Sequence, residues 1–223
     1  MGTLSGALHA EAVARIEDRL RAAGVVPVVE LPDAELAVPL ARALLAGGLT
    51  CVEITFRTPA ARDGLAAIHG AHPEILLGAG TVLEEEQVDA AIEAGADFAV
   101  APGTSAETVR HAQQRGLPML PGTCTPSDVE CARRLGVRLL KFFPAEPVGG
   151  AAFLRALCGP YRDVRFVPTG SITPATLPEY LAVPQVVACG GSWMVKPELL
   201  QAGEWDRVTE LAAEAAAIVA AAR

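Results

Sequence analysis

The chain has 223 residues, of which 51% are hydrophobic but only 4% aromatic, and its formal net charge is −8. A single α/β barrel occupies about 200 to 250 residues, so the length suits one such unit better than two domains, and the Ala/Val/Leu-rich composition suits helices packed on buried parallel strands. Only two lysines, Lys141 and Lys196, accompany the acidic balance, which leaves no basic patch for a nucleic acid or an anionic membrane and excludes both as partners.

Residues 1–21 carry charges throughout an apolar pattern of helical period, which predicts a short amphipathic helix rather than a secretion signal. No segment is apolar for long enough to span a membrane. Short β-branched runs then alternate with Ala/Leu/Glu/Arg-rich stretches. They predict strands over residues 25–30, 51–55, 75–79, 98–101, 119–120, 139–142, 165–167 and 186–189, each followed by a helix. Asp33 ahead of 34–46, Thr58 ahead of 60–70 and Thr125 ahead of 127–135 offer capping oxygens, each next to a proline. Gly47, Gly95, Gly116 and Gly136 fall where helices should stop. Residues 205–222 predict a last helix, alanine-rich on several faces, that packs on the barrel or on a neighbouring subunit. This even alternation predicts one domain over residues 1–223, a single (β/α)8 TIM barrel with an N-terminal helix. An open doubly wound sheet is the alternative.

In such barrels the chemistry sits at the C-terminal ends of the strands. Those positions are unusually polar here. The second strand ends in Glu53, Thr55 and Arg57, the third leads into Thr81, the fourth into Pro102, and the sixth carries Lys141 and Phe143. The seventh leads into Thr169-Gly170-Ser171 and the eighth into Gly190-Gly191-Ser192.

Lys141 lies in an apolar strand, where an uncompensated ammonium is costly. Desolvation there favours the neutral amine that a carbonyl-attacking nucleophile needs. The competing reading is a structural ion pair, for instance with Glu53, or a lysine that snorkels outward. Strand alternation puts Glu53 on the face shared with Cys51 and Thr55. An inward carboxylate near the mouth is a candidate general acid/base, with an ion-pair role towards Arg57 or Lys141 as the alternative. Arg57 could hold a substrate carboxylate or be only a surface group. Glycines in the last two turns let backbone N–H groups approach a phosphate, although ordinary tight turns use glycine too.

The four histidines fall in predicted helices or at their ends, so neither a histidine base nor a His-ligated metal is expected at the strand termini. Trp193 and Trp205 read as packing residues. The five cysteines are odd in number, scattered and without metal-ligand spacing, which predicts reduced thiols and a cytoplasmic protein.

The stretches 48–59 around Glu53 and Arg57, 78–82 around Thr81, 98–103, 120–122, 141–146, 168–170 and 190–193 together resemble the 2-keto-3-deoxy-6-phosphogluconate (KDPG) aldolase and 4-hydroxy-2-oxoglutarate (KHG) aldolase family. The similarity runs over residues 26–218. It implies a class I aldolase in which Lys141 forms an imine with the keto carbon and Glu53 shuttles protons. Arg57 and Thr81 would bind the pyruvate carboxylate, and Phe143 and Pro102 would wall the site. Gly170, Gly191 and Ser192 would bind phosphate, with Thr169, Ser171 and Gly190 beside them. It also implies a small-molecule substrate, a phosphorylated 2-keto-3-deoxy sugar acid giving pyruvate, no metal or organic cofactor, and a homotrimer.

The chain departs from the family where Ser171 replaces the second glycine of a Thr-Gly-Gly turn. If that position needs positive φ, serine costs on the order of 1 kcal/mol, and phosphate preference is then open. Glu30, at the end of the first strand, would repel an anion if it faced the mouth. The rivals are KHG itself as substrate, a phosphate-binding barrel isomerase without a covalent lysine, and a non-catalytic metabolite-binding barrel.

Overall fold

A computed structural model describes residues 2–223. Its strands are β1 (Val25–Val29), β2 (Cys51–Thr55), β3 (Leu76–Gly80), β4 (Phe98–Val100), β5 (Met119–Leu120), β6 (Gly122–Thr123), β7 (Leu139–Phe142), β8 (Arg165–Pro168) and β9 (Cys189–Gly191). All pair in parallel, in two ladders ordered β5-β4-β3-β2-β1-β9 and β6-β7-β8. Parallel pairing requires a crossover between successive strands, and helices supply the crossovers.

The fold is therefore α/β with a curled parallel sheet, and two expectations need correction. The predicted fifth strand does not end at Leu120 but resumes as β6 beyond Pro121, which has no N–H to give a ladder. The partner changes there: Leu120 pairs with Val100, Gly122 with Lys141. Glycine is required at that crossing, because a Cβ on Gly122 would lie 2.7 Å from the Gly103 nitrogen. The predicted eighth strand, 186–189, is displaced to Cys189–Gly191, leaving only isolated bridges from Val186 to Phe166 and from Gly190 to Thr169. The ladder is thus not continuous around eight strands.

Alternation divides the core into two layers. Val26, Cys51, Leu76, Phe98, Leu139 and Val167 point inward and pack with Ile16 and Leu20 of the helix Gly2–Ala23. Val25, Val52, Ile54, Leu140 and Phe166 point outward against the helices. Fully burying one such side chain contributes about 1.5–3 kcal/mol, so both layers hold the strands that carry the site. The helix Trp205–Ala222 buries Val208, Ala212, Ala215 and Val219, and it lies so close to Gly47 that a Cβ there would meet the Thr209 carbonyl at 2.7 Å.

Two of the three proposed caps form. Asp33 accepts from the Glu35 N–H at 2.9 Å, and Thr125 and Asp128 make a reciprocal capping box. Thr58 does not cap the helix Ala61–Ala71; its hydroxyl donates to the Leu31 carbonyl at 2.7 Å and ties the first two strand-end loops together. Among the described residues no helix is long and apolar enough to cross a membrane.

Candidate active site

Lys141 is the inward residue at the end of β7, paired in register with Gly122 on one side and Val167 on the other. Only 6% of it is exposed. Its Nζ lies 3.5 Å from Glu53 Oε1 and 5.4 Å from the centre of the Phe143 ring. Glu53, 3% exposed, is the inward residue of β2 and sits between Val28 and Gly78 in register. Its side chain extends over Gly80, where a Cβ would lie 2.7 Å from Glu53 Cγ and 2.8 Å from Cδ. Only glycine leaves the carboxylate that room. Lys141 Nζ donates to Glu53 Oε1, so each of these two buried polar side chains has its partner in the other.

Arg57 is half-exposed. Its Nε donates to Thr55 Oγ1 at 3.2 Å and its Nη1 lies 3.2 Å from Glu30 Oε2. The Thr55 hydroxyl in turn donates to the Val29 carbonyl at 2.8 Å, which fixes the stem of Arg57 to the ends of β1 and β2. Glu30 therefore does face the mouth.

Thr81 and Pro102 stand directly beyond the ends of β3 and β4, both half-buried, and among the described residues neither hydrogen-bonds to Lys141 or Glu53. Thr169, Gly170 and Ser171 follow β8. Their turn is tied to the loop after Lys141, for the Ala145 N–H donates to the Thr169 carbonyl at 2.9 Å and the Glu146 N–H to the Gly170 carbonyl at 3.2 Å. Gly170 has φ 117° and lies 3.2 Å, measured from an added Cβ, from the Pro144 backbone. Thr169 bridges to Gly190, which brings the two glycine turns side by side, and Ser192 is exposed beside them.

Among the described residues, the non-glycine positions with positive φ are Thr81 (58°) and Ser171 (60°). That conformation costs roughly 1–2 kcal/mol per residue, and such strain gathers at functional sites. The buried hydroxyl of Thr169 and the indole N–H of Trp193 have no partner among the described residues, leaving two hydrogen-bonding groups available beside the glycine turns. No group of three His, Cys, Asp or Glu side chains that could hold a metal occurs among the described residues. A largely apolar cavity of about 330 Å³, lined by residues such as Val13, Met119 and Leu139, lies at the opposite, N-terminal ends of the strands, away from Lys141.

A family model described as KDPG and KHG aldolase matches residues 16–211. The chain belongs to that family. It is 48% identical to the 2-dehydro-3-deoxy-phosphogluconate aldolase of Treponema pallidum over 92% of this chain and 97% of that protein. It is 44% identical to the KHG/KDPG aldolase of Escherichia coli strain K12, over 89% of this chain and 93% of the relative. A crystal structure of KDPG aldolase from Legionella pneumophila, with pyruvate captured as a covalent carbinolamine intermediate, superposes with a TM-score of 0.86 at 37% identity, covering 89% of this chain and 96% of that one.

For this aldolase-family chain, sequence reading named the strand-end residues, Thr55 and Glu30 among them, but not the contacts that shape them. Gly80 makes room for Glu53, Thr55 anchors Arg57, and Glu30 engages it. Alternation along β2 pointed to Thr55. Nothing in a single sequence marks Gly80 as the seat of a side chain from the neighbouring strand.

Proposed function

We propose that this aldolase cleaves 2-keto-3-deoxy-6-phosphogluconate to pyruvate and glyceraldehyde 3-phosphate through an imine on Lys141. The observation that carries the reading is the buried Lys141–Glu53 pair at 3.5 Å, facing the strand ends where Arg57 and the two glycine turns open. The Lys141 amine adds to the C2 carbonyl, the carbinolamine loses water, and a protonated imine results. Glu53, directly or through a water, takes the C4 hydroxyl proton as the C3–C4 bond breaks, and the bonding electrons move into the imine to give an enamine. Return of a proton to C3 and hydrolysis release pyruvate and restore the amine. No metal is needed in this scheme, because the imine is the electron sink.

Arg57 and Thr81 hold the carboxylate, Phe143 and Pro102 flank the keto carbon, and backbone N–H groups of Gly170, Ser171, Gly191 and Ser192, with the Thr169 hydroxyl and Gly190, receive the phosphate end. The shorter 4-hydroxy-2-oxoglutarate, which yields pyruvate and glyoxylate, can follow the same steps. The 44% identity to an aldolase named for both substrates supports this second reading.

We also read residues 1–223 as one domain and the two ladders as one (β/α)8 barrel. The covalent continuity of β5 and β6 through Pro121 and the Phe166–Val186 and Thr169–Gly190 bridges support the closure. The homotrimer that the family resemblance implies is part of the same reading, and light scattering on the purified protein tests it. Five unpaired thiols fit a reducing, cytoplasmic setting. The function itself is tested by coupling pyruvate release to lactate dehydrogenase. Both substrates should be turned over in the presence of a chelator, and Lys141→Ala should turn over neither. Undiminished cleavage by Lys141→Ala would reject the imine mechanism.

A further inference from the structure

The role given to Arg57 above leaves an unexplained carboxylate beside it. Val26 packs in the inner core layer and Val29 in the outer one, so the strand delivers Glu30 to the mouth, where its Oε2 stands 3.2 Å from Arg57 Nη1. Arg57 Nε is already engaged with Thr55. A guanidinium grips a carboxylate bidentately through Nη1 with Nη2 or through Nε with Nη2. Each of those edges thus has one donor occupied, the first by Glu30 and the second by Thr55. The Thr55 bond is locked by that hydroxyl's own bond to the Val29 carbonyl, whereas Glu30 is a half-exposed side chain held by charge alone.

We infer that Glu30 is a specificity-determining residue that competes with the substrate carboxylate for Arg57. Bidentate capture of the substrate then requires Glu30 to leave Nη1, and the departing carboxylate remains close enough to repel the incoming one. The effect is to hold down affinity for the anionic keto acid without touching the covalent step at Lys141. This inference rests on the aldolase reading and on Arg57 as the carboxylate ligand. A half-exposed pair and one like-charge contact near 4 Å in water are each modest effects, and together they amount to about three- to tenfold in apparent affinity.

The test compares wild type with Glu30→Gln, measuring steady-state cleavage and the pyruvate concentration that half-saturates borohydride trapping of the imine. The Gln variant should show KM and half-saturating pyruvate about three- to tenfold lower with kcat unchanged. The gap should shrink at about 1 M salt, where the screening length is ~3 Å, and vanish in an Arg57→Ala background. Trapping of hydroxyacetone, which has no carboxylate, should be the same for both proteins. Equal or higher half-saturating pyruvate in Glu30→Gln would overturn this inference alone. Absence of any trapped imine on the wild type would overturn the aldolase reading and this inference with it.

Discussion

Replacing Gly80 by alanine should disable Glu53 while leaving the fold intact. The added Cβ would stand 2.7 Å from Glu53 Cγ and 2.8 Å from Cδ. Carbon atoms rest at about 3.5–4.0 Å, so something must yield by roughly 1 Å. The β3 backbone is held on both sides, by five register pairs to β2 and by Gly78 and Ala79 to β4, and Gly80 is not at positive φ. The flexible Glu53 side chain is therefore what moves. A displacement of about 1 Å in a catalytic group costs on the order of 10²-fold in rate, equivalent to about 2.7 kcal/mol at 1.36 kcal/mol per decade. The assay is kcat for pyruvate release by wild type, Gly80→Ala, Glu53→Gln and the double variant. Pyruvate should still form a trappable imine on Gly80→Ala, and the alanine should cost little more once Glu53 is already glutamine. A Gly80→Ala enzyme with wild-type kcat, or a full additional loss in the Glu53→Gln background, would refute the reasoning. Gly70→Ala, which meets nothing within 4 Å on its helix, is the control and should leave kcat unchanged.

Other outcomes follow from the same geometry. Ser171→Gly removes a positive-φ strain of about 1–2 kcal/mol against an unfolded-state entropy cost of about 0.5–1 kcal/mol, so thermal unfolding should show a gain of about 0.5 kcal/mol, and a loss would contradict the strain. Burial pushes the thiol of Cys51 up to about 12 and that of Cys158 up to about 11, and it raises Cys189 as well. Iodoacetamide at neutral pH should then label Cys124 and Cys131, which are partly exposed, and spare the other three until the protein is denatured; native labelling of Cys51 would contradict this. Burial raises the Asp128 carboxyl, but hydrogen bonds from the Thr125 and Cys124 N–H groups and the Thr125 side chain outweigh it and leave the group below its ordinary 3.8. Its folded-state value is depressed, so its contribution is present above the unfolded value and fades as pH falls through the folded one. Urea unfolding of Asp128→Ala should show a deficit of about 1 kcal/mol at neutral pH that closes towards pH 3, and a pH-independent deficit would argue for packing instead.

Much of the frame was legible because periodicity records burial. That Cys51, Glu53 and Thr55 share one face followed from alternation alone, and Lys141 stood out as a charge inside an apolar run. What escaped depended on contacts between distant segments. The break at Pro121 follows from its missing N–H, yet the change of partner at Gly122 depends on how near the Pro102–Gly103 backbone comes. Thr58 had the pattern of a cap, but its hydroxyl found the Leu31 carbonyl of the preceding loop, a partner 27 residues away. Glu30 was readable as a carboxylate that would repel an anion at the mouth, but its place there followed only from Arg57 of the next strand standing against it.

The most direct test of the central claim is intact-protein mass spectrometry, with peptide mapping, after incubation with pyruvate and borohydride. An imine on Lys141 requires one reduced pyruvyl adduct per chain, mapped to Lys141 and absent from Lys141→Ala. An unlabelled wild type, or an adduct on Lys196, would contradict it.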